Sequence, residues 1–184
     1  MSPNITPLGA FLALLFTVAM GSLIWWMLHA PPPVPLEVAR ATLGVESLRR
    51  ILVPTIDTDY SRRAVELASR LGQEQKAEII LVYVLEVPMT LPLGAHMPEQ
   101  EAKATEVLKR AQAIAHHHGL PSKVRLVRSR HAGSGILQAV QDERADIVVI
   151  GMRPVLVGSD SLGRTSEWLI KKCSCELVID KLPG

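Results

Sequence analysis

The chain has 184 residues, enough for one ordinary domain and one short extra element, and carries a formal net charge of +2. That near balance, with an aromatic content of 4%, excludes the basic, base-stacking surface of a nucleic-acid binder. Mean hydropathy is +0.22, high for a water-soluble domain, and the excess lies at the amino end.

From Gly9 to Leu28 no side chain is charged, and Trp25 and Trp26 close the run. As a helix it extends about 30 Å, the thickness of a bilayer's hydrocarbon core, with the indoles at headgroup level. A cleaved secretory signal needs basic residues ahead of the apolar stretch and small residues at a cut site. No Lys or Arg precedes this one, and Pro31 to Pro33 follow Ala30. The expectation is therefore an uncleaved single span that inserts residues 9–28 in a bilayer. Arg40, Arg49 and Arg50 follow it, so the positive-inside rule sets the amino terminus outside and the rest of the chain in the cytoplasm, at the cell (inner) membrane.

Residues 1–29 are read as this anchor and 30–48 as a proline-rich linker with a juxtamembrane segment. Residues 49–184 are read as an α/β domain. Ala30 to Pro35 favours an extended, semi-rigid spacer, and Leu36 to Arg50 is compatible with a short helix.

Ile51 to Thr55 reads as a first strand, with Pro54 where no ladder N–H is needed. Asp57, Thr58, Asp59 and Ser61 form a loop that caps a helix from Ser61 to Leu71, closed by Gly72. Glu78 to Leu85 is a second buried strand, and Pro88 to Pro98 is an apolar flap or contact surface. A helix of about twenty residues follows, on the spacing of Val107, Leu108, Ala111, Ile114, Ala115 and His118. His116, His117 and His118 point about 100° apart and cannot share one metal ion, so they are read as a solvated helix end. Lys123 to Val127 alternates as an edge strand does. Gly133 to Arg144 is a helix, and Ile147 to Ile150 is a β-branched run typical of a strand covered on both faces. A last helix runs from Arg164 to Lys172, and Leu177 to Ile179 is the fifth strand. Cys173 and Cys175 provide no disulfide framework and are read as small buried packing residues.

Five strands alternate with four helices, which requires a five-stranded parallel sheet with helices on both faces. The ligand crevice of such a sheet lies where strand order reverses, between the strands ending at Thr55 and Gly151.

At this point the chain resembles the universal stress protein family over nearly all of Arg49 to Asp180. The resemblance rests on Ile51-Leu52-Val53-Pro54 with Ser61 and Ala64, on Asp146 to Gly151, on Leu162 to Glu167, and on Cys175 to Ile179. It implies a Rossmann-like fold. It also implies, for one branch of the family, an ATP site built on Gly, two residues, Gly, nine residues, Gly, then Ser or Thr. Here the first Gly is Gly151, Pro154 replaces the second, Gly163 follows after eight residues, and Arg164 stands where the hydroxyl residue belongs. The family's acidic residue after the first strand aligns with Ile56, beside Asp57. The site residues carried over are Pro54, Thr55, Asp57, Val84, Gly151, Arg153, Gly163, Arg164, Thr165 and Ser166. Arg164 either grips a phosphate or pairs with Asp160 or Glu167.

No catalytic constellation and no P-loop is present, so the chain is not expected to be an enzyme. The expected function is a membrane-anchored accessory or regulatory subunit of an integral membrane complex, acting by protein contact and carrying a degenerate nucleotide site without a cofactor. The alternative is a tethered stress-response sensor that binds ATP or AMP and regulates a transporter. The resemblance further implies a homodimer paired through the last strand.

Overall fold

The computed structural model describes residues 7–28, 48–153 and 163–181. The chain divides between residues 46 and 47 into two units, taken here in turn.

The first contains helix α1 (Pro7–Leu28), 22 residues with no charged side chain and none buried. It is long and apolar enough to cross a membrane. The one threonine in it, Thr17, donates its hydroxyl to the carbonyls of Ala13 at 3.1 Å and Leu14 at 2.9 Å, so that polar group is satisfied within the helix.

The second unit runs β1 (Arg50–Pro54), α2 (Asp59–Gln73), β2 (Glu78–Glu86), α3 (Pro98–His117), β3 (Ser122–Ser129), α4 (Ala132–Glu143), β4 (Ile147–Met152), α5 (Arg164–Lys172) and β5 (Glu176–Lys181). The five strands form one sheet in the order β3-β2-β1-β4-β5, every pair parallel, as the alternation requires.

Strand period two explains why these runs are apolar without a break. Odd-numbered Ile51, Val53, Ile79, Leu81, Ile147 and Val149 pack on one face with Ala64, Val65 and Ala68 of α2 and Leu108, Ala111 and Ala115 of α3. Even-numbered Leu52, Ile80, Val82, Val148 and Ile150 pack on the other with Ile136, Ala139 and Val140 of α4 and Leu169 of α5. Burying each such aliphatic side chain is worth about 1.5–3 kcal/mol. Cys173 and Cys175 sit against this second cluster, in the packing role expected of them.

Five local expectations need correction. Arg50 opens β1, so a helix through Arg50 does not form; residues 36–47 of that expected segment lie outside the described residues. Gly72 does not end α2, which continues to Gln73. It sits inside the packing instead, where a Cβ would come within 3.1 Å of both Ala77 and Ile51. His118 is not a solvated end, because its Nε2 lies 2.8 Å from Oε2 of Glu66 with only 15% of the side chain exposed. That bond holds the Glu66 carboxyl below its ordinary range. Ser61 is not the first residue of α2, which begins at Asp59 behind Thr58 as its N-cap. Arg144 lies beyond α4, in the left-handed conformation at φ 50°.

Candidate functional site

β1 pairs with β4 only through Ile51 and Leu52, and the two strands diverge beyond that point. The gap is a cavity of about 330 Å³, within the range of small-ligand sites. Nine of the ten expected residues line it: Pro54, Thr55, Val84, Gly151, Arg153, Gly163, Arg164, Thr165 and Ser166.

Asp57 is the exception and requires correction. Its Oδ1 lies 3.3 Å from Arg110 of α3 and 3.5 Å from Arg62 of α2, and it lines a different, small crevice between those helices. Neighbouring cations have drawn the carboxylate away from the cavity. Pro154 and Asp160 lie outside the described residues. Glu167 forms no ion pair with Arg164 among the described residues.

Each wall follows from local chemistry. On the β1 side Thr55 is buried, and both its N–H and its hydroxyl donate to the Val82 carbonyl, at 2.7 and 3.2 Å. The Ile56 N–H donates to Oγ of buried Ser61 at 2.9 Å, and the Ser61 N–H donates weakly to Oγ1 of Thr58, the α2 N-cap, at 3.4 Å. Val84 stands two residues beyond Val82 on the same edge of β2. By the period-two rule its N–H and C=O face the side that β1 has vacated. A donor beside an acceptor matches the paired edge of a purine.

Gly151 is the next-to-last residue of β4, and the α2 amino end crosses the strand there. A Cβ there would lie 2.0 Å from the Tyr60 carbonyl oxygen and 2.6 Å from its carbon. Only glycine allows that approach, so this residue is needed for packing as well as for lining the site.

On the opposite wall, Gly163 is the N-cap of α5 with φ 84° and provides no side-chain cap. The first intrahelical bond runs from the Glu167 N–H to the Gly163 carbonyl at 3.0 Å, which leaves the N–H groups of Arg164, Thr165 and Ser166 ahead of it. These donors, two hydroxyls and the positive end of the helix dipole converge beside the cavity. Arg164 and Arg153 are exposed and have no acidic partner among the described residues. A cation in the first helical position opposes the dipole by about 0.3–1 kcal/mol, and an anion in front of the helix reverses that sign.

Sequence reasoning did not assign Tyr60, Ser61, Ala132, Ile136 and Met152 to the lining. Alternation along β4 was the available signal for Met152, which falls on the same face as Ile150. Ala132 and Ile136 come from α4, which only the three-dimensional crossover brings beneath β1.

Among the described residues that line the cavity there is no carboxylate, imidazole, thiol or lysine. No cluster of three His, Cys, Asp or Glu side chains able to hold a metal occurs among the described residues. What the arrangement supports is recognition of a heteroaromatic ring edge at one end and an anion at the other.

The profile of the universal stress protein family matches residues 47–181. A universal stress protein of Thermus aquaticus is 28% identical over 137 residues, covering 71% of this chain and 97% of that one. The universal stress protein of Archaeoglobus fulgidus in complex with dAMP superposes with a TM-score of 0.59 at 17% identity, covering 71% of this chain and 96% of its own. A family member of Arabidopsis thaliana with AMP bound superposes with a TM-score of 0.54 at 19% identity, covering 74% and 93%. At these identities the two structures support the fold, and their ligands are properties of those proteins.

Proposed function

The chain belongs to the universal stress protein family, and from that premise we propose that it is a membrane-tethered, non-catalytic regulatory subunit that binds an adenine nucleotide. The observation that carries the reading is the open cavity of about 330 Å³ between β1 and β4, with Val84 on one side and the uncapped α5 terminus with Arg164 on the other. The relatives solved with dAMP and AMP support adenine as the base. In this reading α1 spans the inner membrane with its amino terminus outside, and the cytoplasmic domain passes its occupancy to an integral membrane complex, a transporter among the candidates. Arg164 and Arg153 take over phosphate binding from the family's second glycine and hydroxyl residue. ATP and AMP are the ligands to test first.

A second reading, contact without ligand, is favoured by the segment between β2 and α3, where Met89 is 80% exposed and Leu91 and Leu93 are 41% and 47% exposed. Titration calorimetry of the detergent-solubilised full chain with AMP, ATP and cyclic AMP separates the two. Heat saturating below about millimolar ligand supports the nucleotide reading. No heat with any of the three, while gentle extraction still recovers a larger complex by mass, supports contact alone. A chain that extracts only as itself removes the subunit role.

A further inference from the structure

The carboxyl end of β3 meets the amino end of α4 on the same edge of the sheet, and a second cavity of about 460 Å³ opens there. It adjoins the first cavity. Arg164 and Thr165 of α5 and Ala132 of α4 line both cavities, so the exposed Arg164, which has no acidic partner among the described residues, stands where the two adjoin.

The second cavity differs from the first in its chemistry. Its distinctive walls are Glu86, Arg130, His131 and Trp168. Arg130 is fixed there by donating to the carbonyls of Val87, at 3.1 Å, and Pro88. Trp168 lies against the α4 backbone, where a Cβ on Gly133 would come within 2.8 Å of the indole Cε3, so the ring has little freedom to turn. His131 is the N-cap of α4 but makes no side-chain capping bond, which leaves its imidazole without a part in holding the helix.

Glu86 decides what this space accepts. Its Oε1 takes the Ala132 N–H at 2.6 Å, so the α4 terminus already has a carboxylate in front of it and a bare phosphate there meets a like charge. A carboxylate with remaining lone pairs, an indole and an imidazole instead suit a heteroaromatic base with an amino group, or ribose hydroxyls. The anion position is in the middle of the trench, at Arg164, and both ends are fit for nucleosides.

We propose that the two cavities are halves of one site for a dinucleoside polyphosphate, with one nucleoside beside Val84, the phosphate chain at Arg164, and the second nucleoside between Trp168 and Glu86. The proposal rests on the nucleotide reading of the first cavity. Both volumes fall within the range of about 300–1,000 Å³ of small-ligand sites, so each half has room for its own unit.

The test uses the full chain in detergent micelles with Trp25→Phe and Trp26→Phe, which leaves Trp168 as the sole indole of the three. AMP and diadenosine tetraphosphate are titrated in turn, following heat and Trp168 emission. AMP is expected to give heat with Trp168 unchanged. Diadenosine tetraphosphate is expected to bind about tenfold or more tightly than AMP, about 1.4 kcal/mol, and to quench Trp168. His131→Ala, and separately Trp168→Phe read by heat alone, are expected to remove that advantage and leave AMP affinity as it was. If both ligands give heat with equal affinity and Trp168 stays silent, the joined site is wrong while the nucleotide reading stands. If neither gives heat, both readings fall together.

Discussion

On the α2 side of the first cavity, Thr55 and Ser61 are buried and their polar atoms are already engaged, Thr55 with the Val82 carbonyl and Ser61 with the Ile56 N–H. On the α5 side the N-cap is a glycine without a capping bond, and the arginine that follows has no acidic partner among the described residues. The first wall is a closed hydrogen-bond network that shapes the space; the second holds open donors and charge. Shape and affinity are thus assigned to opposite sides of one gap, and substitutions on the two sides have different signatures.

The largest expected effect is on the shaping side. Gly151→Ala drives a Cβ into the Tyr60 backbone, which cannot yield as a flexible side chain does. A loss of about 3 kcal/mol in chemical denaturation is expected, at the upper end for overpacking. A loss below about 0.5 kcal/mol would mean that the α2 amino end is free to retreat.

Arg164→Ala is expected to weaken AMP binding about tenfold or more, the scale of a charge-assisted hydrogen bond lost. Stability is expected to hold or rise by a few tenths of a kcal/mol, because a cation leaves the positive end of α5. Calorimetry and a denaturation curve on the same sample separate the two effects. Ile56→Asp is a smaller change on the shaping side. Ile56 is 43% exposed and its N–H bond to Ser61 does not involve its side chain, so the fold is expected to be unaffected. AMP affinity is expected to rise about fivefold through a bond to a ribose hydroxyl, about 1 kcal/mol.

The smallest effect expected between pH 5 and 8 is on stability. Lys123, hydrogen-bonded to Glu143 at 2.7 Å, is the main reason that its carboxyl lies below the ordinary 4.5; Arg125 at 2.6 Å acts in the same direction. A depressed carboxyl stabilises the folded chain above its unfolded value, and that contribution is lost as pH falls through the folded value. Denaturation midpoints are therefore expected to be flat from pH 8 to 5 and to fall below about 4.5. AMP binding is expected to follow the phosphate's own second ionisation near pH about 6, since no carboxylate, imidazole or thiol lines the cavity among the described residues. Burial and the adjacent Cys173 thiol push Cys175 up to about 12, so it is expected to resist alkylation at pH 7 in the folded chain.

The strands and their order were readable because hydrophobic burial has a period: Ile147 to Ile150 has no polar break, and the structure covers both of its faces. The placement of the crevice followed from the topology alone. Side-chain direction in a loop has no such period. Asp57 follows β1 in sequence as a site residue would, yet Arg110, 53 positions away, helps to hold it on the opposite side. Ala132 and Ile136 were missed for the same reason, since they reach the cavity through a crossover and not through a motif. The positive φ of Gly163 and the clash that Gly151 avoids are backbone facts that the sequence marks only with the letter G.

The central claim is that the α5 side reads a phosphate. Calorimetric titration of the full chain and its Arg164→Ala variant with AMP and with adenosine tests it most directly. The account predicts that AMP binds at least about tenfold tighter than adenosine to the unaltered chain and that the variant loses that difference, about 1.4 kcal/mol. Equal binding of AMP and adenosine by the unaltered chain would contradict it.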